Sequence, residues 1–112
     1  MYQYACEATQ IHDGDTFTAS VDLGFSIHTV ATFRLDGLDC PELATKEGKA
    51  VAAWVKERFA AFGGKCIVST RKDLREKYGR MLAVVYFPGE ATSLNQQLID
   101  TGRAKPYSGG KR

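Results

Sequence analysis

The segment Phe33-Arg34-Leu35-Asp36-Gly37-Leu38-Asp39-Cys40-Pro41-Glu42 opens as an alternation of apolar and polar side chains. It closes as a turn carrying one cation and three carboxylates. An unpaired ion in a core costs roughly several kcal/mol, so Arg34, Asp36, Asp39 and Glu42 must face solvent or neutralise one another. Pro41 disfavours helical geometry at Cys40, which sets the carboxylates on a stiff turn. Oxygen ligands held rigidly at the end of a strand suit a hard cation. The same residues would also serve as an ordinary solvated turn. Two other clusters carry charge: Asp13-Gly14-Asp15-Thr16, and Lys77-Tyr78-Gly79-Arg80. Asp-Gly is also a common hairpin signal. The first cluster is no EF-hand loop, because Thr18 stands where that loop needs glycine and Gly24 where it needs glutamate.

Such groups need elements to position them. Residues 2 to 11 read as a strand. From Thr16 to Leu23 the alternation predicts a second strand with Phe17, Ala19, Val21 and Leu23 facing inward. A third runs from Ile27 to Leu35, with Ile27, Ala31, Phe33 and Leu35 inward and His28, Thr32 and Arg34 on the opposite face. By the same parity Asp36 should point outward into solvent. The period then changes. Val51, Trp54, Val55, Phe59 and Phe62 recur at three-and-four spacing, the stripe of a helix of about four turns that puts Trp54 in the core. Thr45 suits its N-cap and Gly63-Gly64 its stop. Further strands are expected at 65 to 71 and at Met81 to Phe87, joined by a charged link from Lys72 to Lys77. A short helix from about Ser93 to Thr101 has Ser93 and Gln96 at capping-box spacing. The polar tail from Lys105 to Arg112 should fray. Five short strands with a helix after the third predict a mainly β fold, a five-stranded OB-fold barrel with a long helix after strand 3 and a short C-terminal helix.

Composition bounds the rest. A chain of 112 residues makes one domain, residues 1–112, able to bury roughly two-thirds of its unfolded surface. With 44% hydrophobic and 25% charged residues it has the make-up of a folded chain. A net charge of +2 permits a phosphate-rich partner without demanding one. Cys6, Cys40 and Cys66 are odd in number and show no CxxC or zinc spacing, so reduced thiols are expected. His12 and His28 lack partners at metal spacing and read as surface residues. No signal peptide is visible at Met1-Tyr2-Gln3-Tyr4 and no run reaches the ~20 apolar residues of a membrane helix, so a cytoplasmic monomer without membrane contact is expected.

Taken in order, the motifs carry a resemblance. Asp13-Gly14-Asp15-Thr16, Arg34 to Glu42, Tyr78-Gly79-Arg80-Met81-Leu82-Ala83, and Leu94-Asn95 through Leu98 to Gly102-Arg103-Ala104 resemble the staphylococcal nuclease (thermonuclease) family from about Cys6 to Tyr107. The resemblance implies an OB-fold barrel and calcium-dependent hydrolysis of DNA or RNA phosphodiesters, unpaired strands preferred, leaving 3′-phosphate and 5′-hydroxyl ends. It implies that Asp15, Asp39 and the backbone carbonyl of Cys40 bind calcium, with Asp13 behind them. Glu42 would be the general base or orient the attacking water, and Arg34 and Arg80 would grip the phosphate. Apart from the resemblance, Lys77, Tyr78 and Tyr107 are candidate substrate contacts by residue type, the lysine through diffuse attraction. Two departures stand out: the connection from Glu42 to the first helix is short, and the given sequence stops soon after Tyr107.

The residue types suit that chemistry. Attack on a phosphodiester adds negative charge to an anion, so fixed cations must meet the non-bridging oxygens. Arginine offers a planar fork that stays charged. Calcium prefers hard oxygens such as those of Asp15 and Asp39, and a nearby carboxylate can accept a proton from water. Tyr78 and Tyr107 could stack on a base or pack with a wet hydroxyl. The rival reading is a non-catalytic nucleic-acid-binding OB-fold module. A pure binder has no need of Asp15, Asp39, Glu42, Arg34 and Arg80 together, and that set favours the enzyme.

Overall fold

The computed structural model describes residues 2–72 and 81–106. Period-two alternation builds a barrel wall from β1 (Tyr2–Ile11), β2 (Thr16–Asp22) and β3 (His28–Leu35), an antiparallel meander. There follow a two-residue strand β4 (Leu38–Asp39), helix α1 (Lys46–Ala61), β5 (Lys65–Lys72), β6 (Met81–Tyr86), helix α2 (Leu94–Asp100) and a second two-residue strand β7 (Lys105–Pro106). The five long strands close in the order β1-β2-β3-β6-β5, with β5 paired back onto β1. Only the β3–β6 seam is parallel, Phe33 to Leu35 lying beside Met81 to Ala83. The expected five-stranded barrel with two helices is the architecture found.

Inward residues of all five strands, among them Phe17, Ala19, Val21, Phe33, Leu35, Val68 and Val85, are buried. The stripe Val51, Val55 and Phe59 of α1 packs onto this core. Phe59 is the junction, its ring centroid 5.1 Å from both Phe17 and Phe87. Thr45 caps α1 by accepting from the Gly48 amide, and the helix ends at Phe62 before Gly63 and Gly64, both at positive φ. Ser93 caps α2, accepting from the Gln96 amide. The reciprocal half of a capping box does not form, since the Gln96 side chain donates to Asp100.

Several expectations need correction. Leu23 and Ile27, predicted inward, are 46% and 56% exposed, and both lie outside the strands. β3 gains its second neighbour only at Phe33, so the β2–β3 hairpin projects as an arm with no barrel interior beneath its tip. Trp54 is only partly buried. It lies against the core edge with the Arg103 guanidinium 4.3 Å from its ring centroid, a cation–π contact. Asp36 is partly buried, its amide donating to the Ala83 carbonyl. The tail does not fray at its start, because Lys105–Pro106 pairs with Leu38–Asp39. Asp39 therefore stands on a short paired strand rather than in a free turn.

Candidate active site

The turn between β1 and β2 is tight. The amides of His12 and Asp13 both donate to the Thr16 carbonyl, and Asp13 Oδ1 accepts from the Asp15 amide at 3.0 Å. Gly14 is required there by crowding. A Cβ would lie 2.7 Å from Val51 Cγ1 and 3.0 Å from Cys40 Sγ, so α1 presses directly on the turn. The Asp15 carbonyl accepts from the Leu35 amide at 2.8 Å, tying the turn to the end of β3. The Asp15 side chain is thereby held inside, 11% exposed. Its Oδ1 accepts from the Thr16 hydroxyl at 3.3 Å and its Oδ2 from the Cys40 amide at 3.4 Å.

Arg34, opposite Thr16 on the β2–β3 ladder, reaches into the same space. Its Nη2 lies 3.2 Å from Asp39 Oδ1 and 3.7 Å from Asp15 Oδ2, so one guanidinium nitrogen stands between two carboxylates. Its buried Nε has no hydrogen-bond partner among the described residues. Asp39 is placed by pairing with Lys105 in the β4–β7 ladder. Three side chains separated by up to 24 positions in sequence thus meet. Two of them, Asp15 and Asp39, are the expected cation ligands, and the third is an expected phosphate-binding arginine.

Among the described residues Arg34 is the cation that meets these carboxylates. Burial, reinforced by the hydrogen bond and the charge of Asp13, pushes the Asp15 carboxyl up to about 6 despite Arg34. Burial and then the carboxylates of Asp15, Asp13 and Asp39 push the Cys40 thiol up to about 12, which keeps it neutral. A neutral thiol beside crowded carboxylates is a poor soft-metal ligand and a poor nucleophile. The carboxylate oxygens of Asp15 and Asp39 are hard donors of the type a divalent cation such as calcium takes. Among the described residues no three His, Cys, Asp or Glu side chains form a group able to hold a metal by themselves, so side chains alone would not saturate such an ion.

Glu42 is exposed and its carboxylate makes no hydrogen bond or ion pair among the described residues. Lys77, Tyr78, Arg80 and Tyr107 lie outside the described residues. Sequence reasoning named Asn95 only within a motif and gave it no role. Its side chain is buried, accepts from the Val85 amide at 3.0 Å and donates to the carbonyls of Ala83 and Asp36 at 3.0 and 2.9 Å. It fastens α2 to β6 and to the turn that delivers Asp39. A polar amide between Leu94 and Leu98, both fully buried, was the available signal. An open groove beside Trp54, lined by Glu90, Thr92 and Gln97, contains none of the expected catalytic residues.

Comparison with curated proteins returns no match. The family model described as staphylococcal nuclease homologue matches residues 32–111, well over half of the 112 residues. The match takes in Arg34, Asp39, Cys40 and Glu42 and begins after the turn that holds Asp13 and Asp15. From that match, and with the closed barrel and its two helices agreeing, the chain belongs to the staphylococcal nuclease homologue family.

Proposed function

We propose that the chain is a calcium-dependent nuclease that hydrolyses phosphodiester bonds of DNA or RNA in unpaired regions, leaving 3′-phosphate and 5′-hydroxyl ends. The observation that carries the reading is Arg34 lodged between Asp15 and Asp39, with Asp15 buried and crowded by Asp13. Among the described residues Asp15 is crowded by Asp13 and shares Arg34 with Asp39, a concentration of hard oxygen atoms of the kind a divalent ion takes.

Asp15, Asp39 and the Cys40 carbonyl would hold calcium, which when bound supplies positive charge beside the phosphate oxygens. Arg34, whose Nε has no partner among the described residues, offers a fork to the same phosphate, and Arg80 offers a second. Glu42, standing exposed beyond Pro41, accepts a proton from the attacking water at a carboxylate oxygen. Cys40 serves through its main chain only, since its thiol stays protonated.

The test is incubation with denatured DNA in calcium or in chelator, with products end-labelled. Cleavage in calcium alone supports the proposal, and binding without cleavage in both puts the binding module ahead. Glu42→Gln and Arg80→Ala should each lower turnover by about 10²–10³-fold with unchanged circular dichroism. Unchanged rates in both variants would end the assignment of roles. Millimolar calcium should also raise the melting temperature by linkage.

A further inference from the structure

Glu42 has an exposed side chain, yet its main chain is gripped from two sides. The Thr45 amide donates to the Glu42 carbonyl at 2.9 Å, and the Thr45 hydroxyl donates to the same oxygen at 2.6 Å. That hydroxyl also accepts from the Gly48 amide at 2.9 Å. One side chain therefore caps α1 and tethers Glu42 to it.

Gly48 supplies the second grip. It is buried inside the first turns of α1, where glycine costs about 1 kcal/mol relative to alanine. Its φ is not positive, so backbone conformation gives no reason for glycine. Close approach does. A Cβ there would overlap the carbonyl oxygen and carbon of Glu42 outright and come within 3.0 Å of Leu43 Cα. Three positions on, the same helix face presents Val51, which abuts the place where Gly14 has no side chain. One face of α1 thus registers the Glu42 turn and the Asp13–Asp15 turn together.

We propose that the Thr45 hydroxyl and the bare Cα of Gly48 form a clamp that positions Glu42 relative to Asp15, Asp39 and Arg34. This rests on Glu42 accepting the proton in the nuclease reaction. Displacing a reacting group by about 1 Å can cost roughly 10²-fold in rate, and alanine at residue 48 forces a main-chain shift of that order.

The experiment measures kcat and KM on denatured DNA, with melting temperature, for Gly48→Ala, Thr45→Asp and Thr45→Ser. Each is made alone and with Glu42→Gln. Aspartate caps a helix as well as threonine does but has no proton to donate to the Glu42 carbonyl, so it breaks the tether and spares the cap. Gly48→Ala and Thr45→Asp should lower kcat by about 10–100-fold with KM within about twofold, and Thr45→Ser should restore most of the rate. Thr45→Asp should melt within a few degrees of the parent, which keeps the test valid if Gly48→Ala folds poorly. Added to Glu42→Gln, neither substitution should lower kcat by more than about twofold, because the group being positioned is already gone. Full losses persisting on that background, or an unchanged kcat for Thr45→Asp, overturn the clamp. If Glu42→Gln alone leaves kcat intact, the proton-acceptor role falls first and the clamp falls with it.

Discussion

Strand β2 ends in two turns with opposite contents. At one end Asp15 is 8% exposed, and at the other Phe25 is 98% exposed. Charge lies inside and the aromatic ring outside, the reverse of the usual partition. The difference is one of cover. At the first turn α1 presses Val51 against Gly14, and amide and hydroxyl groups satisfy the buried carboxylate. At the second, Gly24, Phe25 and Ser26 all have positive φ, and the hairpin closes only on itself through Leu23 and Ile27. Alternation along a strand says which residues share a face. Whether that face is buried depends on what the rest of the chain lays across it.

The comparison can be broken at its cover. Phe59→Ala, which empties the junction between Phe17 and Phe87, should cost about 3–5 kcal/mol in urea unfolding. A loss under about 1 kcal/mol would mean that α1 does not cover the site end.

Next in size is the effect of pH on the chelator-treated protein. Asp15 titrates at about 6 when folded, against an ordinary 3.8, so the folded state holds that proton more tightly. Its contribution is complete below about pH 4 and is lost as pH rises through about 6, a span on the order of 2–3 kcal/mol. Asp15→Asn should remove this dependence and stabilise the calcium-free protein at pH 7, read by thermal melts across pH. A variant with the parental profile would show that Asp15 is not the group responsible.

Two smaller effects sharpen the contrast. Gly14→Ala should cost about 1–3 kcal/mol through contact with Val51 and Cys40. Asn-Gly in place of Phe25-Ser26 should instead add about 1–2 kcal/mol, because both residues hold the left-handed geometry of a type I′ turn. Equal costs at the two turns, measured by the same urea titrations, would erase the distinction.

The barrel was legible because its strands alternate cleanly: Phe17, Ala19 and Val21 on β2, and Phe33 and Leu35 on β3, are all buried as their parity predicts. The α1 cap and stop were legible for the same local reason. Leu23 and Ile27 were misread because their pattern continues past the point where a second strand neighbour ends. The β4–β7 ladder was invisible, since two-residue strands carry no period and their partners lie 66 or more positions apart. Within the site, the residues of the Asp15–Arg34–Asp39 cluster were named in advance, but the bonds of Asn95 to Val85, Ala83 and Asp36 and the contact between Gly48 and Glu42 were not.

The amino-acid sequence by itself determined which residues alternate, where helices start and stop, and which side chains bear the charges, because propensity, capping and periodicity act over a few neighbouring residues. Only the tertiary structure decided that Arg34 lies between Asp15 and Asp39 and that α1 touches Glu42 at Gly48. Closure of the barrel and docking of the helix set those distances, and both are long-range events that no local pattern encodes.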